Sequence, residues 1–74
     1  MKYTKAVLME GKLRDVIFCV GVVPGGYGLF YKYQRGAEEV SIRTLKNVTY
    51  RTAGIAQRRL DAFAKSGKWR PVEE

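Results

Sequence analysis

Seventy-four residues, no histidine, one cysteine and a formal net charge of +7 describe a chain sized for a single domain spanning 1–74. It has no imidazole for acid–base work near neutral pH and cannot close an internal disulfide. Apolar residues make up 46% of the chain, too many for a disordered tail, and a domain this small buries only about 60% of its unfolded surface, which leaves a thin core.

The N-terminal segment alternates Tyr3, Lys5, Val7 and Met9 with Lys2, Thr4, Ala6 and Leu8, the period of a strand. Glu10-Gly11-Lys12 predicts a tight turn. Arg14 to Val23 follows as a second strand, apolar at consecutive positions from Val16 onward. Such a run suits a central strand covered on both faces, and Gly21 within it marks a bulge or a close approach. Pro24-Gly25-Gly26-Tyr27-Gly28 predicts a turn, since proline and glycine supply the φ values a turn needs.

A third strand is expected over Leu29 to Gln34, with Leu29, Tyr31 and Tyr33 on one side and Phe30, Lys32 and Gln34 on the other. Arg35 to Glu38 reads as a turn and Val40 to Thr44 as a fourth strand. Leu45-Lys46-Asn47 then breaks the phase with a bulge or short turn before Val48-Thr49-Tyr50. The chain ends in a helix capped by Thr52. Ala53, Ala56, Leu60, Phe63, Ala64 and Gly67 form its apolar stripe, and Arg58, Asp61 and Lys65 lie opposite. Gly67 terminates it, and Trp69 folds back onto the edge of the domain. Pro24 and Pro71 fall outside the regular elements. The expected fold is α+β, an antiparallel meander of about four strands with one C-terminal helix packed on one face.

The chemistry-bearing patterns are mostly negative. Cys19 lies in the most apolar run and reads as an inert small hydrophobe. Glu38 and Glu39 are neighbours on a strand or turn, so they point apart. Metal ligation lacks its usual residues, and no cofactor or metal is expected. Gly25, Gly26 and Gly28 lack the Lys-Ser or Lys-Thr and the following helix of a phosphate loop. The longest apolar run, Val16 to Val23, is too short to span a membrane, and no signal peptide is read at the N-terminus. Asn47-Val48-Thr49 is therefore a chance sequon, and a reducing, cytoplasmic setting is expected. The chain reads as a non-enzyme.

Charge carries the positive signal. Residues 1–39 hold six basic and four acidic side chains. Residues 40–72 hold eight basic ones (Arg43, Lys46, Arg51, Arg58, Arg59, Lys65, Lys68 and Arg70) against Asp61 alone. Arginine forks and a helix N-terminus both favour phosphate. The expected function is therefore a small accessory protein that holds nucleic-acid backbone, DNA or RNA, on this C-terminal surface. Tyr31 and Tyr33, close to Lys32 and Arg35, are candidates for stacking on bases. The alternative is a protein-interaction module, an inhibitor or adaptor of the kind viruses and mobile elements encode, docking on an acidic partner. Because one helix covers one face, a homodimer through the helix-free face, with Tyr31 or Phe30 near the axis, is also expected.

Overall fold

The computed structural model describes residues 1–72. Four strands form the meander: β1 (Tyr3–Met9), β2 (Lys12–Val23), β3 (Gly26–Arg35) and β4 (Glu38–Thr44). The helix α1 (Ala53–Ser66) follows, and a two-residue strand, β5 (Arg70–Pro71), adds to the far edge. The sheet runs in the order β4-β3-β2-β1-β5, and every neighbouring pair is antiparallel.

Three two-residue turns set the register. Glu10 and Gly11 both take positive φ, 53° and 76°, which matches the twist of the paired strands. Pro24-Gly25 joins Val23 to Gly26, and Gly36-Ala37 joins Arg35 to Glu38. The turn after β2 is thus shorter than the sequence suggests, and Gly26 to Gly28 belong to β3. The expected break after β4 is present. Residues 45–49 leave the ladder, and Tyr50 rejoins it by exchanging both backbone hydrogen bonds with Tyr27 at 2.9 and 2.8 Å.

The helix starts as expected. Thr52 is extended, and its hydroxyl accepts from the Ile55 N–H at 3.2 Å. Ala56, Leu60 and Ala64 are fully buried, one turn apart, and Ala56 and Leu60 pack on Phe18 and Leu29. The stripe is narrower than the sequence predicts. Ala53 is exposed and Phe63 is 43% exposed, because the helix sits over β2 and β3 and leaves its outer flank uncovered. Asp61 does not lie opposite the core. It flanks the β1 side, where its carboxylate accepts from the Tyr3 hydroxyl at 2.6 Å and from Gln57 at 2.8 Å.

The helix ends at Gly67, as the sequence predicts. Lys68, not Gly67, takes the left-handed conformation, with φ 61°. The Trp69 N–H then reaches back to the Ala64 carbonyl at 2.9 Å, which closes the helix end. Gly67 is needed for another reason: a Cβ there would stand 2.9 Å from the Trp69 indole. That close approach lets Trp69 lie on the sheet, stacked on Tyr31 at 5.5 Å and tilted against Phe18 at 5.1 Å. The chain then continues as β5 beside β1. Pro71, expected outside regular structure, is in this edge strand, where a missing N–H is tolerated.

The two faces of the sheet are closed differently. On the helix side, Phe18, Val20, Tyr27, Leu29 and Tyr31 pack under α1 and Trp69. The other face has no second layer among the described residues, yet Cys19 and Val23 are 5% and 8% exposed. Gly21 and Gly28 sit directly opposite each other there, on β2 and β3. Gly21 makes room for the Phe30 ring, which a Cβ would meet at 2.7 Å. At Gly28 the guanidinium of Arg43 lies across the strand, 3.1 Å from where a Cβ would stand. The chain's own side chains therefore supply part of the cover that the apolar run of β2 needs.

Candidate nucleic-acid interface

The basic surface is built on α1. Burial of Ala56, Leu60 and Ala64 fixes the helix phase, and 100° per residue then turns Ile55, Arg58, Ala62 and Lys65 outward. Arg59 falls on the flank facing β4, four residues before Phe63. Arg51 precedes the N-cap, and the first helical turn carries no acid. Fourteen residues make this ridge about 21 Å long. Arg51, Arg58, Arg59 and Lys65 are exposed, and among the described residues none makes a side-chain hydrogen bond or an ion pair. Asp61, the one acid of the helix, is turned away. The hydrogen bond from Tyr3, followed by that from Gln57, holds its carboxyl below the usual carboxylate range.

The other sequence candidates scatter. Lys46 is exposed in the segment that leaves the ladder after β4. Lys68 is exposed at the helix end, and Arg70 on β5 lies across from Thr4 at the opposite sheet edge. Arg43 is a structural group rather than a free cation. Its Nη2 donates to the Val48 carbonyl at 3.1 Å and to Thr49 Oγ1 at 3.0 Å, pinning the 45–50 segment. Its Nε is buried without a partner among the described residues.

The two tyrosines are also occupied. Tyr33 is 5% exposed, its ring lies under the Arg14 guanidinium, and its hydroxyl donates to Glu10. That bond and the Arg35 guanidinium depress the Glu10 carboxyl, and the same bond raises the Tyr33 phenol. Tyr31 is half-buried between Phe18 and Trp69. Neither ring offers a free face of the kind base stacking needs.

Comparison with family models, curated proteins and solved structures returns no match.

One feature beside the ridge escapes the sequence. Phe63, Leu45, Thr44, Tyr31 and Trp69 line an open groove of about 300 Å³ between the α1 flank and the β4 side of the sheet. Phe63 and Leu45 are 43% and 47% exposed there. The helical wheel places Phe63 at the margin of the apolar stripe, and only the lateral position of the helix on the sheet decides that it stays open. Among the described residues no group of three His, Cys, Asp or Glu side chains gathers as a metal site requires. Among the described residues no helix is long and apolar enough to cross a membrane.

Proposed function

We propose that the chain binds the phosphate backbone of nucleic acid along the outward ridge of α1 and performs no chemistry of its own. The observation that carries this reading is the uncompensated ridge. Arg51 just before the N-cap and Arg58, Arg59 and Lys65 on the helix stand exposed, with the only helical acid held against Tyr3 and Gln57. Arg51 sits beside the helix N-terminus, whose partial positive charge adds to its own. A backbone reader of this kind is tolerant of sequence, since phosphate contacts position a ligand and base contacts specify it. It needs no cofactor, and a reducing, cytoplasmic compartment suits the free Cys19.

A salt series on random duplex DNA tests this. Neutralising about four phosphates gives a log–log slope of about −4. Charge reversal at Arg58 and Arg59 together should flatten that slope by about two units while leaving the far-UV spectrum unchanged. A slope near zero, or a slope that R58E/R59E does not alter, overturns the proposal.

The groove favours a second reading, an interaction module for an acidic protein segment with a bulky apolar anchor. Arg59 and Lys46 stand next in sequence spacing to the exposed Phe63 and Leu45, so cations border an apolar trough. Binding that persists at high salt and is lost in F63A assigns the partner to this class. A homodimer doubles the basic ridge in either case. The helix-free face is a weaker interface than the sequence suggests, because Cys19 and Val23 are already buried and Phe30 and Arg43 lie over Gly21 and Gly28. Its exposed apolar remainder is the Leu8–Leu13 pair at the hairpin end.

A further inference from the structure

The free edge of β4 is self-complementary, and we infer that two chains pair through it, antiparallel and in one register, as a continuous ten-stranded sheet. The inference does not depend on the nucleic-acid reading.

The backbone dictates which groups face outward. Tyr27 gives both its N–H and its C=O to Tyr50, so the odd-numbered residues of β3 face the β4 side. Their partners are Thr44, Ile42, Val40 and Glu38, opposite Leu29, Tyr31, Tyr33 and Arg35. In an antiparallel ladder alternate residues bond to alternate sides. Glu39, Ser41 and Arg43 therefore aim their N–H and C=O groups at the open edge. β4 has no proline and no bulge between Glu38 and Thr44, so its backbone is free to accept a strand whose charges suit Glu38, Glu39 and Arg43. The opposite edge is partly closed by β5 with Pro71.

The side chains select the partner. An antiparallel copy centred on Ser41 sets Ser41 against its own counterpart and overlaps the whole strand. Glu39 then faces the partner's Arg43, and Arg43 faces the partner's Glu39, on the helix-free side. On the helix side Val40 faces the partner's Ile42, and the reverse. Both apolar pairs are matched, and each Glu39 carboxylate stands beside an Arg43 whose bonds to Val48 and Thr49 hold its guanidinium in place without neutralising its charge. Cross-strand pairs of these kinds are the unit of sheet stabilisation. Charge explains why this edge, among all surfaces of a +7 chain, accepts a like-charged copy. β4 carries Glu38 and Glu39 against Arg43, whereas the α1 ridge carries only cations on its outward side.

The symmetry has a consequence. The twofold axis runs perpendicular to the sheet, so both helices lie on one face. Ile42, which is 38% exposed, and the groove at Phe63 and Leu45 then face their counterparts across the seam. The two basic ridges flank that seam on the same side.

Light scattering of the full chain across about 1–100 µM should give twice 8.4 kDa at the upper end, with dissociation on dilution. Glu39→Arg sets like charges together twice and should raise the dissociation constant about tenfold or more. Ser41→Pro removes an outward N–H that the single chain does not use, so it should give a folded monomer by circular dichroism. Ser41→Cys places two thiols across the axis at about 5.5 Å between Cα atoms, within disulfide reach. It should cross-link rapidly under mild oxidation, whereas Glu39→Cys, displaced from the axis, should not. A mass of 8.4 kDa throughout, or equal cross-linking by the two cysteine variants, overturns the inference. So does a dimer that survives E39R and S41P but dissociates in L13K, which assigns pairing to the helix-free face.

Discussion

The two faces of this sheet solve one problem by different means. On the helix side a second layer does the covering: Ala56, Leu60 and Ala64 settle on Phe18 and Leu29, and Trp69 extends the layer past the helix end. On the other side one layer suffices over the centre, because Gly21 and Gly28 make a shallow bed for Phe30 and Arg43. The difference teaches that an apolar run on a central strand does not by itself demand a partner. Small residues at facing positions let long neighbours lie flat, and cover then comes from within the sheet.

The largest test of that contrast is truncation on the layered side. Leu60→Ala removes a side chain with no exposed surface, and should cost about 2–5 kcal/mol in urea unfolding. Phe63→Ala should cost clearly less despite the larger side chain, because Phe63 is 43% exposed at the groove. Equal losses at the two positions would place the helix further toward β4 than described.

On the self-covered side the corresponding test adds atoms. Gly21→Ala drives a methyl into the Phe30 ring, 2.7 Å away, and should destabilise by about 1–3 kcal/mol. If the ring is what the glycine accommodates, the penalty shrinks in a Phe30→Ala background, a coupling that a double-mutant cycle measures. An additive pair would mean that Gly21 serves the backbone instead.

Much of this fold is legible in the sequence. Alternation sets β1, β3 and β4, the Glu10-Gly11 turn joins β1 to β2, and Thr52 announces the helix. What fails has a common cause: facts that depend on where elements sit relative to one another. Phe63 reads as core on a helical wheel, but the helix is displaced toward β2 and β3 and leaves it open. Arg43 reads as a free cation, but Gly28 gives it a resting place and Val48 and Thr49 supply acceptors. Tyr33 reads as a stacking ring, but the turn brings Glu10 to its hydroxyl. Arg58, Arg59 and Lys65 stand exposed on α1, as the helix phase requires. β5 is not legible in the sequence, because two residues carry no periodicity.

Acid should reach the layered side at two points, because Tyr3 and Tyr33 both lie on that face. Glu10 ties the first turn to Tyr33 and Arg35, and Asp61 ties α1 to β1 through Tyr3. Both carboxyls titrate lower in the folded chain than their ordinary values, through hydrogen bonds first of all. Their contribution is thus present above the unfolded carboxylate range, about pH 4, and is lost as pH falls through the depressed folded values. Tyr3 and Tyr33 are raised by the same bonds, so they contribute below about pH 10 and lose that contribution as pH rises further. Midpoint temperatures measured from pH 2 to 6 should fall on the acid side, and Glu10→Gln should make the fall shallower. Because the Glu10 and Asp61 carboxylates are exposed, the effect stays smaller than either packing change.

The smallest expected effect is at the hinge that brings Trp69 onto the layered face. Lys68 holds φ 61°, a conformation that costs a side chain with a Cβ about 1 kcal/mol. Lys68→Gly removes that strain but gives the unfolded chain more freedom, which offsets part of the gain. A net stabilisation of about 0.5 kcal/mol remains, a rise of about 2–4 °C in a domain of this size. The Trp69 N–H bond to Ala64 and the stack on Tyr31 should persist, so tryptophan fluorescence should not shift. The substitution also deletes one cation without touching the α1 ridge. If the ridge alone holds the phosphates, the salt slope of DNA binding stays where it was. A slope shallower by about one unit would extend the interface past the helix end to Lys68.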